Sequence, residues 1–247
     1  MVASFKLVSV LALAISAAAV PLEKRYEGPG IILINKGSGP QNLTFYRNAW
    51  DGVGTAGPRY GLDHEPNPPT LQPGEEKFVP LDMAFKGRVQ RGIDQPATWA
   101  EFQISADNAN PPPGSKAVPD GNDKAAHGDI SVQQGNDGPV TIKSRTTGKV
   151  GGFTEDYITG AWDSAIARND AGLWGVNNSI RLKDGKTALS STMGNWDMKK
   201  NNDTVDWYIS KGADKTKFYF HNGLKGPSDK GVDDVSSADN QLEVTFY

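Results

Sequence analysis

The chain contains no cysteine among its 247 residues. That excludes thiolate nucleophiles, zinc–thiolate centres and a disulfide framework. A small extracellular domain rarely does without disulfides, but a chain of this length can bury enough surface to manage. Histidine is almost as scarce. His64, His127 and His221 stand far apart, so a His-built metal centre or a Ser–His triad has little support. Basic residues are outnumbered, with 26 Lys and Arg against 29 Asp and Glu and a formal charge of −3. They form no cluster able to neutralise phosphates, so nucleic acid and anionic membrane surfaces are poor partners. Apolar residues make up only 37%. Beyond the N-terminus, no run approaches the roughly 20 apolar residues of a membrane span.

The N-terminal run itself reads as a secretory signal. Lys6 supplies the early positive charge, residues 7–19 form an apolar stretch, and Ala17-Ala18-Ala19 offers the small residues that a signal peptidase reads. Leu22-Glu23-Lys24-Arg25 follows, a dibasic processing site of the kind used in fungal secretion. The expected organisation is a signal peptide over 1–19, a short pro-segment over 20–25 cut after Lys24 and Arg25, and one domain over 26–247. Removal of residues 1–25 takes away three basic groups and one acid, which makes the charge −5. An extracellular location follows, and the sequons at Asn42, Asn177 and Asn202 become candidate glycosylation sites.

The whole chain has 28 Gly and 16 Pro, enough for many turns, and six Trp and nine Phe to fill a core. Strands are expected over 31–35, 41–47, 76–81, 87–91, 99–105, 129–133, 139–144, 218–221 and 241–247. The 41–47 strand is read as the hairpin partner of 31–35, and 129–133 as the partner of 139–144. Residues 50–69 and 106–126 read as loops. Between 149 and 213 the pattern loosens, with short helices at 164–167 and 205–211, although 204–209 suits a strand as well. Trp99, Glu101 and Gln103 alternate with Ala100, Phe102 and Ile104, one set on each face of a strand. No βαβ rhythm appears. The fold class is therefore all-β, a sandwich or flattened barrel with a loop-rich second lobe.

Three segments carry a resemblance. Gly87-Arg88-Val89-Gln90-Arg91 is followed by Thr98-Trp99-Ala100-Glu101-Phe102-Gln103-Ile104. Then Gly128-Asp129-Ile130-Ser131-Val132 runs into Gly135-Asn136-Asp137-Gly138-Pro139, and the chain closes on Leu242-Glu243-Val244-Thr245-Phe246. In order and spacing this set resembles the thaumatin-like proteins. The resemblance implies a flattened β-sandwich of about ten strands, a second lobe and an acidic cleft between them. Glu101 and Asp129 match two of the family's cleft acids. Gln134 stands where a third acid is usual, and Arg88 or Arg91 would supply the cleft's basic group. The usual disulfides are missing.

Chemistry at such a cleft takes one of two forms. Glycoside hydrolysis needs two carboxyls, one of them kept protonated. Glu101 and Asp129 are the candidates, and the resemblance implies weak β-glucanase activity in some members. Gln134 keeps hydrogen bonding but not charge, which favours binding over cutting. Sugar binding would draw on Arg88, Arg91, Trp99, Glu101, Gln103, Asp129 and Gln134. Trp50, Trp162, Trp174 and Trp196, in Gly- and Asn-rich segments, suit either a recognition surface or the core. Asp-rich stretches such as Val232-Asp233-Asp234 and Trp50-Asp51-Gly52 lack EF-hand spacing. No metal or cofactor is expected. The expected partner of this monomer is a cell-wall polysaccharide of the β-glucan class. The alternatives are a weak β-glucan hydrolase and a secreted effector that binds a host surface protein.

Overall fold

The computed structural model describes residues 26–48, 60–61, 70–83, 85–93, 95–105, 124–161, 188–193, 200–221 and 234–247. Among the described residues, eleven strands and one helix run in the order β1 (Gly30–Asn35), β2 (Leu43–Asn48), β3 (Tyr60–Gly61), β4 (Glu76–Pro80), β5 (Lys86–Arg91), β6 (Trp99–Gln103), β7 (Ala126–Ser131), β8 (Val140–Ser144), β9 (Val150–Phe153), α1 (Asn202–Ser210), β10 (Val235–Ser237) and β11 (Gln241–Phe246). They form a five-stranded sheet in the order β4-β1-β11-β8-β9 and a six-stranded sheet in the order β10-β7-β6-β5-β2-β3. The all-β sandwich read from the sequence is the observed architecture.

The inward faces of the two sheets make the core. Ile31 and Leu33 of β1, Ile142 of β8 and Val244 of β11 meet Phe45 of β2, Val89 of β5, Phe102 of β6 and Ile130 of β7, all in one cluster. Phe85 and Phe102 stack with ring centroids 5.4 Å apart. The cluster continues into the segments after β9, where Phe153, Tyr157, Tyr208, Phe218 and Phe220 pack ring against ring. This aromatic group ties the described segments after β9 to the sandwich core. The helix α1 is capped by Asn201, whose side chain accepts a hydrogen bond from the Thr204 backbone N–H, the usual role of Asn at an N-cap.

The pairings differ from the sequence reading in two places. The strand at 41–47 is present as β2, but it pairs with β5 rather than with β1. Both edges of β1 are already occupied, by β4 on one side and by β11 on the other. The strands read at 129–133 and 139–144 are present as β7 and β8, yet they belong to opposite sheets. The turns between them, at Gln133–Gln134 and Asp137–Gly138, carry the chain across the sandwich. Residues 218–221 make a single bridge, Ser131 to Tyr219, rather than a strand. At 204–209 the helix prevails over the strand alternative. The signal and dibasic segment, the helix read at 164–167, Trp50, Trp162, Trp174, Trp196 and Asn177 lie outside the described residues.

Candidate functional site

The outward face of the six-stranded sheet carries a polar row. Antiparallel pairing places Tyr46 of β2 opposite Arg88 of β5, Arg88 opposite Glu101 of β6, and Glu101 opposite Asp129 of β7. Strand alternation fixes the direction of these side chains. Val89, Phe102 and Ile130, their chain neighbours, point into the core. Trp99, Gln103, His127 and Ser131 lie two residues along on the same strands and so share the outward face.

Arg88 organises one end of the row. Its guanidinium lies 4.1 Å from the Tyr46 ring centroid and 4.0 Å from that of Trp99. Its Nε donates to Gln90 Oε1 at 2.9 Å, and Gln95 Nε2 donates to the same oxygen at 3.0 Å. Arg88 is thereby held as a fixed cation on an aromatic bed. Trp99 is only 4% exposed. A platform for a sugar ring needs an open aromatic face, and Trp99 has its face under Arg88.

Glu101 and Asp129 are half-buried neighbours on adjacent strands. Burial raises Glu101 from the ordinary 4.5 to about 7, against the opposing pull of the Arg88 guanidinium and a hydrogen bond from the Ser131 hydroxyl. Asp129 is also raised well above its ordinary value, by burial first, then by the charges of Glu101 and Asp234. Its Oδ1 is buried and accepts no hydrogen bond from the protein. Two carboxyls with interacting charges titrate as a pair. At neutral pH this pair therefore retains a proton, so it can both donate and accept hydrogen bonds. His127 and Asp234 close the far end, paired through His127 Nδ1.

The remaining candidates are placed differently. Arg91 has the parity of Val89, not of Arg88. Its Nη1 meets Asp137 Oδ1 at 3.1 Å, and its other nitrogens donate to Gln41 Oε1 and to the carbonyls of Pro139 and Tyr247. That guanidinium is committed to tying β5 to the 137–139 turn and the C-terminus. Gln134 is buried in the turn after β7. Gln103 is half-buried on the site face, opposite His127. Asn42 and Asn202 are both exposed. The Asn42 side chain accepts from the Thr70 hydroxyl, and Asn202 opens α1. Among the described residues no three His, Asp or Glu side chains form a group able to hold a metal ion.

Sequence reasoning missed Ser131, His127 and Asp234. Parity along β7 was a usable signal for Ser131 and His127, which alternate with Gly128 and Ile130 around Asp129. Asp234 reaches the row only through the pairing of β10 with β7, more than 100 residues apart in sequence.

Comparison with known proteins adds little. No family model matches the chain, and no curated protein matches it. Among solved structures it is similar to the protein elicitor MoHrip2 from Magnaporthe oryzae, at 14% identity and a TM-score of 0.31, over 66% of this chain and 90% of that one. It is also similar to the thaumatin-like xylanase inhibitor TLXI, at 9% identity and a TM-score of 0.28, over 88% of this chain and 98% of that one.

Proposed function

We propose that this is a secreted thaumatin-like protein that binds a neutral cell-wall polysaccharide of the β-glucan class on the Arg88–Glu101–Asp129 face. The observation that carries the reading is the carboxyl pair on β6 and β7, half-buried, raised in pKa and set beside a fixed guanidinium. A sugar presents adjacent hydroxyls, each a donor and an acceptor. A carboxyl pair that shares a proton offers both functions at once, and Arg88 adds donors. Recognition would then run through hydrogen bonds, with Gln103 beside the pair, rather than through ring stacking on Trp99. The resemblance is supported in a specific way. Three of its motifs fall on β5, β6 and β7, which lie side by side in one sheet.

The test is co-sedimentation with insoluble β-1,3-glucan, chitin and cellulose, with soluble sugar measured in the supernatant. The expected result is retention on β-1,3-glucan that falls at least tenfold in Glu101→Gln combined with Asp129→Asn. Retention unchanged in that double variant, or no retention at all, would refute the assignment. In the second case a partner protein becomes the better occupant of this face.

One observation favours a second reading, glycan hydrolysis. A carboxyl poised at about 7 beside a second carboxyl is the pairing of a general acid with a nucleophile. Directly opposed residues on antiparallel strands have Cβ atoms about 4.5–5.5 Å apart. That is compatible with the roughly 5–5.5 Å carboxyl separation of retaining glycosidases. Soluble oligosaccharide that appears with the native protein and disappears in Glu101→Gln would establish it.

A further inference from the structure

The flank of β7 beside the carboxyl pair carries an aromatic side chain from a distant part of the sequence. β10 pairs with β7 over Ala126–Gly128. Further along β7, the neighbour is the segment at residues 218–221. Tyr219 forms a parallel bridge with Ser131 there. Its N–H donates to the Ile130 carbonyl at 2.9 Å, and its carbonyl accepts from Val132 N at 2.8 Å. Gln133 Nε2 adds a bond to the His221 carbonyl at 2.8 Å. The chain neighbours of Tyr219 set its direction. Phe218 and Phe220 belong to the core and pack on Phe153 and Tyr208. Side chains alternate along extended backbone, so Tyr219 points the other way. Ser131 lies on the outward face, where its hydroxyl bonds Glu101. Tyr219 therefore shares the carboxyl face, one strand spacing of roughly 4.8 Å from Ser131. Asp129 stands two residues along β7 on that same face.

A pyranose ring has two faces lined by C–H groups and a rim of hydroxyls. Carboxyls and a guanidinium serve the rim and leave the faces in water. The faces need a flat apolar surface next to those polar groups. Trp99 does not offer one, because its ring lies under Arg88 and is only 4% exposed. Tyr219 is half-buried, so part of it stays open on the carboxyl face. A tyrosine combines an apolar ring with a polar tip, which suits a ligand of mixed character. Its position is fixed in advance by a buried phenylalanine on each side and by the bridge to β7. Little freedom remains to be lost when a ligand lands on it.

We propose that Tyr219 is the stacking platform of the polysaccharide site, seating one sugar ring against the β7 flank of the carboxyl pair. A ring placed there turns its rim toward Asp129 and, across β7, toward Glu101. The glycan then crosses the strands from Tyr219 towards Arg88 instead of running along them. This inference rests on the polysaccharide reading and adds to it the residue that meets the sugar's C–H face.

Titration calorimetry with a soluble β-1,3-gluco-oligosaccharide compares the native protein with Tyr219→Phe and Tyr219→Ala. The phenylalanine variant keeps the flat ring and should bind within about threefold of native, while the alanine variant should bind roughly tenfold or more weakly. NMR spectra of the native protein with the same oligosaccharide should show sugar ring protons shifted upfield, with NOEs to the Tyr219 ring. Should Tyr219→Ala not fold, those NOEs decide the matter. Equal affinity in Tyr219→Ala, or a bound oligosaccharide without contacts to the Tyr219 ring, would overturn this inference and leave the carboxyl-face reading in place. No binding by the native protein would overturn both.

Discussion

Replacing Glu101 by Gln tests the electrostatics of the carboxyl face without any ligand. Glu101 rises from 4.5 to about 7 on folding. An acid raised in this way binds its proton more tightly in the folded state than in the unfolded one. Its contribution is therefore fully favourable below pH 4.5, fades as pH climbs, and is lost above about 7. At 1.36 kcal/mol per pH unit the loss approaches about 3 kcal/mol, an upper bound because the group is only half-buried. Asp129 adds a loss of the same sign. Asp137, raised by burial against the pull of Arg91, adds a loss of the same sign that Glu101→Gln leaves in place, while Asp156 and Asp214, whose pKa is lowered, act only at more acidic pH. Urea unfolding of the native protein at pH 4.5, 6, 7.5 and 8.5 should show falling stability across the series. Glu101→Gln should flatten the slope, because it removes one titration and one of the charges that raise Asp129. At pH 8.5 the variant should be the more stable protein. A native profile that is flat between pH 4.5 and 8.5, or an equal slope in the variant, would show that the pair is solvated and would remove the ground for proton sharing.

Three further outcomes follow from the packing. Arg91→Ala strips a partner from buried Asp137 and should cost about 3–5 kcal/mol in urea unfolding, with Arg91→Lys only partly restoring it. Trp99→Ala should lower stability by about 3–5 kcal/mol, since the ring is buried beneath Arg88, and calorimetry should show a lower Tm; the affinity of the remaining folded molecules for glucan should change less than in the carboxyl double variant. Gly87→Ala would bring its Cβ to 1.9 Å from the Tyr46 carbonyl oxygen, so β5 must move away from β2. The expected cost is about 1–3 kcal/mol by thermal unfolding.

What could be read from the sequence follows what is local in the chain. The alternation at Trp99–Gln103 and Gln241–Phe246 marks both strands, because one face is buried and the other is not. The partners of those strands are not local. β11 lies parallel to β1 from the other end of the chain, and no turn signal announces it. β9 escaped notice because Val150-Gly151-Gly152-Phe153 has two residues with no side chain to pattern. Gly152 is required there, with φ +92° and a Cβ that would sit 2.3 Å from the Val140 carbonyl oxygen. In the site, Glu101 and Asp129 were legible from alternation and resemblance together. Arg88 and Arg91 were left as alternatives, although parity separates them: Arg88 aligns with Gln90 on the outer face, and Arg91 does not. The burial of Trp99 was not legible, since it depends on where a cation from the next strand comes to rest.

The first and last strands of the domain, β1 and β11, are hydrogen-bonded partners in the middle of one sheet. β1 therefore waits for β11, at the opposite end of the domain, before half of its ladder can form. Until then β4-β1 and β8-β9 are two separate hairpin-like pieces with open edges. The five-stranded sheet therefore cannot be completed progressively from β1. It closes in a late step across the length of the domain, the slow, high-contact-order kind of closure, and β1 and β11 are the two strands whose meeting completes it.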